Sequence, residues 1–303
     1  MADLHLRRAS GAMGSKGVDG DGRFRQWKSI MLRTLKDFEK CAIGATDGDI
    51  GQVKDLYFDD DAWAVRYLIV ETGSWLSGRK VLISPVSIHK PDWPAHSLPA
   101  AITRDQVKNS PDIDTEKPVS RQHEVEYLGY YGYPDYWGGA GLWGGGMVPM
   151  AMYPGYAALP GGEAGRERAI EESAKFERAR HRDDDPHLRS CTAVVGYHIH
   201  ATDGEVGHVD GFLIDDETWA IRYLVVNTSN WWLGHKVLIA PQWVGGVHWS
   251  DETVSVEMDR AAVKAAPPYD PSAALDRPSE TSLHTHYGRP PYWKAGSTLE
   301  REI

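Results

Sequence analysis

The chain contains little cysteine and no long apolar run. Two cysteines, Cys41 and Cys191, are too few for a disulfide framework, which favours a reducing compartment. The long uncharged stretch of residues 137–162 is interrupted by three prolines and many glycines and therefore cannot form a spanning helix. The N-terminal residues lack the apolar core of a signal peptide. We therefore expect no membrane span and a cytoplasmic protein, either free or peripheral to the inner membrane.

Basic residues are also scarce. The chain has 33 Lys and Arg against 43 Asp and Glu, and its net charge is −10. Nucleic-acid surfaces require clustered Lys and Arg to neutralise phosphates. The composition therefore argues against a nucleic-acid partner.

Catalytic and cofactor motifs are missing from the sequence. It contains no G-x-S-x-G elbow, no phosphate loop with a Lys-Ser/Thr ending, and no C-x-x-C pair. Cys41 and Cys191 have no shared neighbourhood of acid or base residues. We therefore expect a protein that is not an enzyme and that needs no cofactor.

What the sequence does contain is an internal duplication. Ala45–Pro85 recurs as Ala201–Pro241 at a constant offset of 156, with 22 of 41 paired residues identical. The same offset also aligns an aromatic segment further along, Tyr131–Trp137 with Tyr287–Trp293. The repeat unit is therefore longer than its best-matching part.

The duplication divides the chain into five predicted segments. They are a mobile tail or a translation start assigned too far upstream (1–30), repeat 1 with its aromatic tail (31–137), a Gly/Pro-rich linker followed by a charged helical spacer (138–186), repeat 2 with its aromatic tail (187–293), and a C-terminal tail (294–303).

Each repeat has the sequence pattern of a small β structure. In repeat 1, Thr46-Asp47-Gly48 predicts a turn, and Val53–Phe58 with Trp63–Val70 predicts a hairpin. A last strand is expected near Leu98–Ile102, followed by a short helix capped by Thr103. The predicted fold class is mainly β: two tandem small, mostly antiparallel β-barrels with short helices.

The strongest predicted strand, Trp63–Val70, is largely apolar on both faces. One face can line the core of its own repeat, and the other needs separate cover. We therefore expect the two repeats to pack on each other about a pseudo-twofold axis.

Both copies resemble the PRC-barrel domain family. The residues that carry the likeness are ATDGDIGQVKDLYFDD, WAVRYLIVETG and GRKVLISP in repeat 1 and their counterparts in repeat 2, within about 32–109 and 187–264. The family includes the barrel of the photosynthetic reaction-centre H subunit and that of a ribosome maturation factor. The resemblance implies a β-barrel that acts by packing against a partner, with no shared catalytic residues.

Two acidic turns are candidates for a hard cation. They are Asp59-Asp60-Asp61 and Asp215-Asp216-Glu217, and Asp47-Gly48-Asp49 faintly resembles the start of a calcium loop. Aspartate is equally suited to tight turns for backbone reasons. We interpret all three as turns and predict no metal site.

Two histidine pairs are candidates for a transition metal. His198-x-His200 and His284-x-His286 each place two imidazoles on one face if the segment is extended. Repeat 1 has Ala42, Gly44, Leu128 and Tyr130 at these positions. We therefore do not predict that they bind metal.

One charged residue lies within each central strand, Arg66 in repeat 1 and Arg222 in repeat 2. A buried guanidinium needs carboxylate or carbonyl acceptors. We predict structural ion pairs with turn aspartates, Asp59 or Asp55 for Arg66 and Asp215 for Arg222.

Each repeat also carries an apolar loop tip, and these tips form our candidate partner surface: Trp75, Leu76, Trp231 and Trp232. Burial between the repeats is the alternative for the tryptophans, because twelve of them need substantial shielding. We expect a non-enzymatic binding or scaffold protein whose partner is another protein. The alternative is an accessory of a membrane electron-transfer or photosynthetic complex, by resemblance to the H subunit.

Overall fold

A computed structural model of the chain describes residues 16–18, 24–26, 31–111, 119, 121–137, 141–152, 187–228 and 235–297. The chain forms two compact units, Met1–Met31 and Leu32–Ile303. In the first, β1 (Lys16–Val18) pairs antiparallel with β2 (Phe24–Gln26), within the segment for which the sequence indicated a mobile tail. The second unit holds both repeats. No helix in the described ranges is long and apolar enough to cross a membrane.

The elements follow the same order in the two repeats, except that repeat 2 has one additional strand, β14. Repeat 1 contains β3 (Leu32–Thr34), α1 (Leu35–Glu39), β4 (Ala42–Ala45), β5 (Gly48–Asp59), β6 (Ala64–Thr72), β7 (Lys80–Ile83), β8 (Ser97–Pro99), α2 (Arg104–Lys108) and α3 (Arg121–Tyr131). Repeat 2 contains β9 (Leu188–Ser190), α4 (Cys191–Val194), β10 (His198–Ala201), β11 (Gly204–Asp215), β12 (Ile221–Asn227), β13 (Lys236–Ile239), β14 (Val244–His248), β15 (Thr253–Val256), α5 (Arg260–Lys264) and α6 (Arg277–His286).

These strands form two main sheets, one for each repeat. The strand order is β7-β6-β5-β4-β8 in the first and β13-β12-β11-β10-β15-β14 in the second. Neither path closes on itself within the described residues, so the fold shown is mainly β with two sheets. Most pairs are antiparallel as expected, but β4–β8 and β10–β15 are parallel.

The repeats exchange their first strands. β3 of repeat 1 pairs with β11 of repeat 2, and β9 of repeat 2 pairs with β5 of repeat 1. The registers are equivalent: Thr34 lies opposite Leu213, and Ser190 lies opposite Tyr57. Each sheet therefore contains a strand that the sequence assigns to the other repeat.

A second reciprocal contact lies where β6 and β12 begin. Ala64 and Ala220 form an antiparallel bridge. The amide of Val65 donates to the carbonyl of Trp219 at 2.8 Å, and the amide of Ile221 donates to the carbonyl of Trp63 at 2.7 Å. These bonds relate the two repeats by a local pseudo-twofold axis.

The core consists of strands that are buried on both faces. In β6, every residue is buried except Glu71. Phe58 of repeat 1 packs on Phe212 of repeat 2 with ring centroids 5.9 Å apart, so the hydrophobic core continues across the axis. Burial of apolar area at this seam stabilises both sheets at once.

Local signals fix the turns and caps. Gly48 and Gly204, in the predicted Asp-Gly turns, have φ of 143° and 131°, a region that favours glycine. Thr103 begins α2 with a capping box that includes Gln106, which confirms the predicted cap.

Candidate functional site

The aspartate that begins each acidic turn organises that turn. Oδ1 of Asp59 accepts hydrogen bonds from the amides of Asp61 and Ala62, at 3.0 and 3.1 Å. Oδ1 of Asp215 accepts the equivalent pair from Glu217 and Thr218 at the same distances. Each carboxylate therefore keeps its other oxygen for a second partner.

In repeat 1 that second partner is Arg66. Its side chain is 3% exposed, and Nη2 lies 3.5 Å from Oδ2 of Asp59. Nη1 donates to the carbonyl oxygen of Leu142 at 2.7 Å. The guanidinium carbon lies 3.8 Å from the ring centroid of Tyr136 and 4.7 Å from that of Trp143. The buried charge thus has a carboxylate, a carbonyl and two aromatic rings around it.

In repeat 2 the equivalent pair is shorter. Nε and Nη2 of Arg222 donate to Oδ2 of Asp215 at 3.1 and 2.7 Å, and Nη2 also reaches Oγ1 of Thr218 at 3.1 Å. The guanidinium carbon lies 4.2 Å from the ring centroid of Tyr292. Burial alone raises the pKa of Asp215, but the charge and hydrogen bonds of Arg222, together with hydrogen bonds from Thr218, outweigh it, and the pKa is lowered.

A buried glutamate on a helix extends each site. In repeat 1, Glu124 of α3 is 1% exposed and accepts hydrogen bonds from the hydroxyl of Tyr136 and, at 2.8 Å, from Nε2 of His187 when that nitrogen is protonated. The offset of 156 relates Glu124 to Glu280 of α6 and Tyr136 to Tyr292. The aromatic tail of each repeat is therefore folded back over its central arginine.

In repeat 2, Glu280 is the centre of a polar cluster. Its Oε1 accepts from the hydroxyls of Tyr223 and Tyr292, both at 3.0 Å, and its Oε2 lies 2.9 Å from Nη1 of Arg277. Burial raises the pKa of Glu280, although Arg277 and the two tyrosines partly offset that rise. Burial likewise raises the pKa of Tyr292 to about 12. The cluster ties α6 to the sheet.

His284 completes this cluster and corrects one expectation. It lies on helix α6, where positions i and i+2 point to different sides. His284 is buried with Nε2 3.0 Å from the hydroxyl of Tyr223, while His286 is exposed, so the two imidazoles do not share a face. Burial lowers the pKa of His284.

The other histidine pair lies on strand β10, where both side chains are exposed. Nδ1 of His198 lies 3.0 Å from Oε1 of Glu205. Among the described residues, the acidic turn of repeat 1 is the group whose ligand atoms lie close enough together to hold a metal ion, and neither His198 nor His200 belongs to it.

That acidic turn, Asp59-Asp60-Asp61, is already engaged. Asp59 holds Arg66, and Oδ2 of Asp60 accepts from Nε of Arg189 of repeat 2 at 2.9 Å. The third residue, Asp61, is exposed. Two of the three carboxylates therefore stabilise the fold, one within its repeat and one across the axis.

Asp55, the other partner considered for Arg66, has a different role. Its Oδ1 accepts from the amide and hydroxyl of Thr192 at 3.0 and 2.9 Å, and its Oδ2 accepts from the hydroxyl of Ser190. Asp55 therefore holds the exchanged first strand of repeat 2 and the start of α4, where an acidic group is favourable.

Of the candidate partner surface, the structure describes the part in repeat 1. Trp75 and Leu76 lie in a 310 helix, Ser74–Leu76, and both are half-buried. The indole N–H of Trp75 donates to the carbonyl of Ile50 at 2.7 Å, and Arg104 covers the ring at 4.3 Å. Trp75 thus packs on its own repeat and keeps part of its surface accessible. Trp231 and Trp232 lie outside the described residues.

Cys41 and Cys191 are both free and buried. Burial raises the pKa of each thiol, so both remain protonated at neutral pH.

Sequence reasoning missed the residues that surround the arginines. Trp143 lies in the segment that we interpreted as a linker, yet it is 1% exposed, and its indole N–H donates to the carbonyl of Thr218 at 2.8 Å. The signal that could have identified Glu124 and Glu280 is the offset of 156, which places a glutamate at the same position in both repeats. The charged spacer predicted within 163–182 lies outside the described residues.

Comparisons with known proteins identify the first repeat. No curated protein matches the chain. Residues 34–93, which run from the cap of α1 through β7 to the segment before β8, match the family model of the PRC-barrel domain. The chain therefore contains a PRC-barrel domain.

Proposed function

We propose that the protein is a non-enzymatic binding or scaffold protein built from two PRC-barrel modules, with another protein as its partner. The observation that carries the proposal is the loop tip Ser74–Leu76. Trp75 is fixed there by the carbonyl of Ile50 and by Arg104, and part of its surface remains accessible beside Leu76. A fixed aromatic side chain loses little conformational entropy on binding and is a common anchor of protein interfaces.

The second module is supported by sequence and by contacts. The family match covers repeat 1, and repeat 2 repeats its central segment with 22 of 41 residues identical. The exchanged strands β3 and β9 occupy equivalent registers in the two sheets. Two PRC-barrel modules that exchange their first strands would account for both the repeated sequence and the equivalent registers.

The absence of catalysis is supported by what the polar residues contact. Arg66 and Arg222 are paired with turn aspartates, and Glu124 and Glu280 are bonded to tyrosines. These groups hold helices and tails to the sheets. A function by docking uses this fold without requiring any of them to react.

The test is an affinity capture from the native cell with the full chain as bait, comparing wild type, Leu76→Ser and Met150→Ser. Met150 is 57% exposed and provides a matched removal of surface apolar area at a residue that is not part of the loop tip. We expect Leu76→Ser to lose the main captured protein and Met150→Ser to keep it. Equal capture by both variants would contradict the proposed surface.

Fractionation of the same cells distinguishes a cytoplasmic scaffold from an accessory of a membrane complex. Recovery of the bait in the soluble fraction supports a cytoplasmic scaffold. Recovery with inner-membrane complexes instead supports an accessory of a membrane electron-transfer complex, by resemblance to the reaction-centre H subunit.

A further inference from the structure

Repeat 1 contains a docked segment whose equivalent is missing from the described part of repeat 2. We call residues 141–146, Gly-Leu-Trp-Gly-Gly-Gly, the tryptophan plug. Two backbone bridges, Gly141 with Gly144 and Trp143 with Gly146, fold it into a tight loop. Its Leu142 carbonyl accepts from Nη1 of Arg66 at 2.7 Å.

The plug makes its second polar contact with the other repeat. The indole N–H of Trp143 donates to the carbonyl of Thr218, in the acidic turn of repeat 2. The plug is therefore recognised by three features: a guanidinium N–H, a carbonyl across the axis, and the ring of Tyr136, whose centroid is 6.2 Å from that of Trp143.

The pseudo-twofold axis generates a second set of these features. Arg66 corresponds to Arg222, Tyr136 to Tyr292, and Thr218 to Ala62. The reciprocal bonds of Trp63 and Trp219 show that the axis relates the two turns closely. Arg222, Tyr292 and Ala62 are therefore placed to form an equivalent surface, which we call the second plug site.

One donor and one acceptor of the second plug site have no partner among the described residues. Nε and Nη2 of Arg222 are used by Asp215 and Thr218, which leaves Nη1 unbonded. The carbonyl of Ala62 accepts no backbone or side-chain hydrogen bond from any described residue. One donor and one acceptor thus remain, the same two that the plug satisfies in repeat 1.

The residues of the second plug site are more exposed to solvent than their equivalents around the plug in repeat 1. The side chain of Arg222 is 13% exposed and that of Arg66 is 3%. Across the axis, Trp219 is buried but its equivalent Trp63 is half-buried, and Ala62 is exposed where Thr218 is half-buried. The second plug site is therefore the more accessible of the two.

We propose that the second plug site binds a tryptophan in an extended or looped peptide segment of a partner protein. The carbonyl before that tryptophan accepts from Nη1 of Arg222, its indole N–H donates to the carbonyl of Ala62, and its ring packs beside Arg222 and Tyr292. This inference rests on the proposed protein-binding function and names the chemistry of a partner at a second surface.

Two other occupants fit less well. At the offset of 156, Leu299 is the residue of this chain that corresponds to Trp143, and a leucine has neither an aromatic ring nor an N–H on its side chain. A second copy of the chain offers the plug itself, but its Trp143 is already buried against its own Arg66. A tryptophan from a different protein has neither limitation.

The experiment measures binding of a fluorescein-labelled peptide with the plug sequence GLWGGG to the full chain by fluorescence anisotropy. We expect saturable binding, no binding of GLAGGG, and about ten-fold weaker binding of a peptide whose tryptophan is replaced by benzothienylalanine, which lacks the N–H. The last comparison uses the unaltered protein and so does not depend on the folding of a variant.

Two variants locate the site. Arg222→Met should weaken peptide binding at least ten-fold, whereas Arg260→Met, which removes the same charge from an exposed pair with Asp203, should not change it. No saturable binding by wild type, or equal weakening by both variants, overturns the proposal. Binding of the peptide only to the Leu299→Ala variant would also overturn the proposal, because the C-terminal tail of the chain would then occupy the site. A dimer in sedimentation that Arg222→Met abolishes would overturn it too, because a second copy of the chain would then be the occupant.

The peptide assay also separates this inference from the proposed function. If the peptide fails to bind but capture still depends on Leu76, the protein remains a binding protein without a second plug site. If the peptide binds but capture does not depend on Leu76, the second plug site is supported and the assignment of the loop tip Ser74–Leu76 as the partner surface is wrong.

Discussion

Trp143 donates its indole N–H to the carbonyl oxygen of Thr218 at 2.8 Å, so a residue between the two repeats holds the second repeat while its ring covers the buried arginine of the first. Trp143→Phe removes the donor and keeps an aromatic ring, and we expect a loss of about 1 kcal/mol in the free energy of unfolding. Trp143→Ala also creates a cavity, and we expect a loss of about 3–5 kcal/mol. Urea unfolding of both variants checks this, and equal losses would contradict it.

The buried charge of Arg66 predicts a large mutational effect. Arg66→Met leaves the carboxylate of Asp59 buried without its cation, and we expect a loss of about 3–5 kcal/mol. Arg289→Met is the matched control, because Arg289 pairs with Glu257 at an exposed position and should cost under about 1 kcal/mol. Similar small losses for both variants would show that the Asp59–Arg66 pair is not buried in solution.

Asp215 should make stability fall in acid. Its pKa is lower in the folded state, so the unfolded state takes up the proton first as the pH falls below about 4. The stabilisation from this carboxylate is complete at neutral pH and is lost as the pH passes through the lowered folded value. We expect Asp215→Asn to be less stable than wild type at pH 7 and the difference to shrink toward pH 3, measured by urea unfolding at both pH values.

His284 should contribute a second pH dependence at higher pH. Its pKa is lowered in the folded state, so the unfolded state binds a proton first as the pH falls below about 6.5, and folding becomes less favourable. Glu280 acts in the opposite direction, because its raised pKa makes the folded state take up a proton before the unfolded state does. These two contributions to the pH dependence of wild-type stability therefore oppose each other.

The variant His284→Leu isolates the histidine, since repeat 1 has Leu128 at this position and buries it. We expect stability within about 1 kcal/mol of wild type at pH 7.5 and a smaller loss than wild type on going to pH 5. Thermal unfolding across this range is the measurement. Parallel profiles for wild type and variant would exclude His284 as the source.

Gly51 should tolerate no side chain. A Cβ there would overlap the backbone carbonyl of Glu71 on the paired strand β6, and at Gly207 a Cβ would overlap the carbonyl of Asn227. We expect Gly51→Ala to unfold the domain or to destabilise it by more than about 3 kcal/mol. Gly44→Ala, where a Cβ meets nothing within 4 Å, is the control and should keep the native circular dichroism spectrum and melting temperature.

The sequence predicted local structure well, because the relevant signals are local or repeated. The hairpin of β5 and β6, the Asp-Gly turns and the Thr103 cap each depend on a few neighbouring residues. Pairing of Arg66 with an acidic turn followed from the cost of an unpaired buried charge. Which aspartate pairs with Arg66 depends on tertiary contacts, and Asp55 proved to hold repeat 2 instead.

The features that the sequence did not predict have physical explanations. β3 and β9 are three residues long, and nothing in so short a run specifies a partner in the other repeat. Trp143 was overlooked because its glycine-rich surroundings are typical of a linker. A shared face for His284 and His286 requires an extended segment, whereas Asp276 and Pro278, at the start of α6, are signals for the beginning of a helix.

The exchange of β3 and β9 also has a consequence for synthesis of the chain. Arg33 and Asp216, which meet through this exchange, are 183 residues apart. While the ribosome is still making repeat 2, residues 57–59 of β5 lack the strand β9 that pairs with them in the complete chain. An unfilled edge pairs readily with other chains. Nascent repeat 1 is therefore most vulnerable to aggregation before residue 190 leaves the exit tunnel, and chaperones that shield unpaired strands should engage it during that interval.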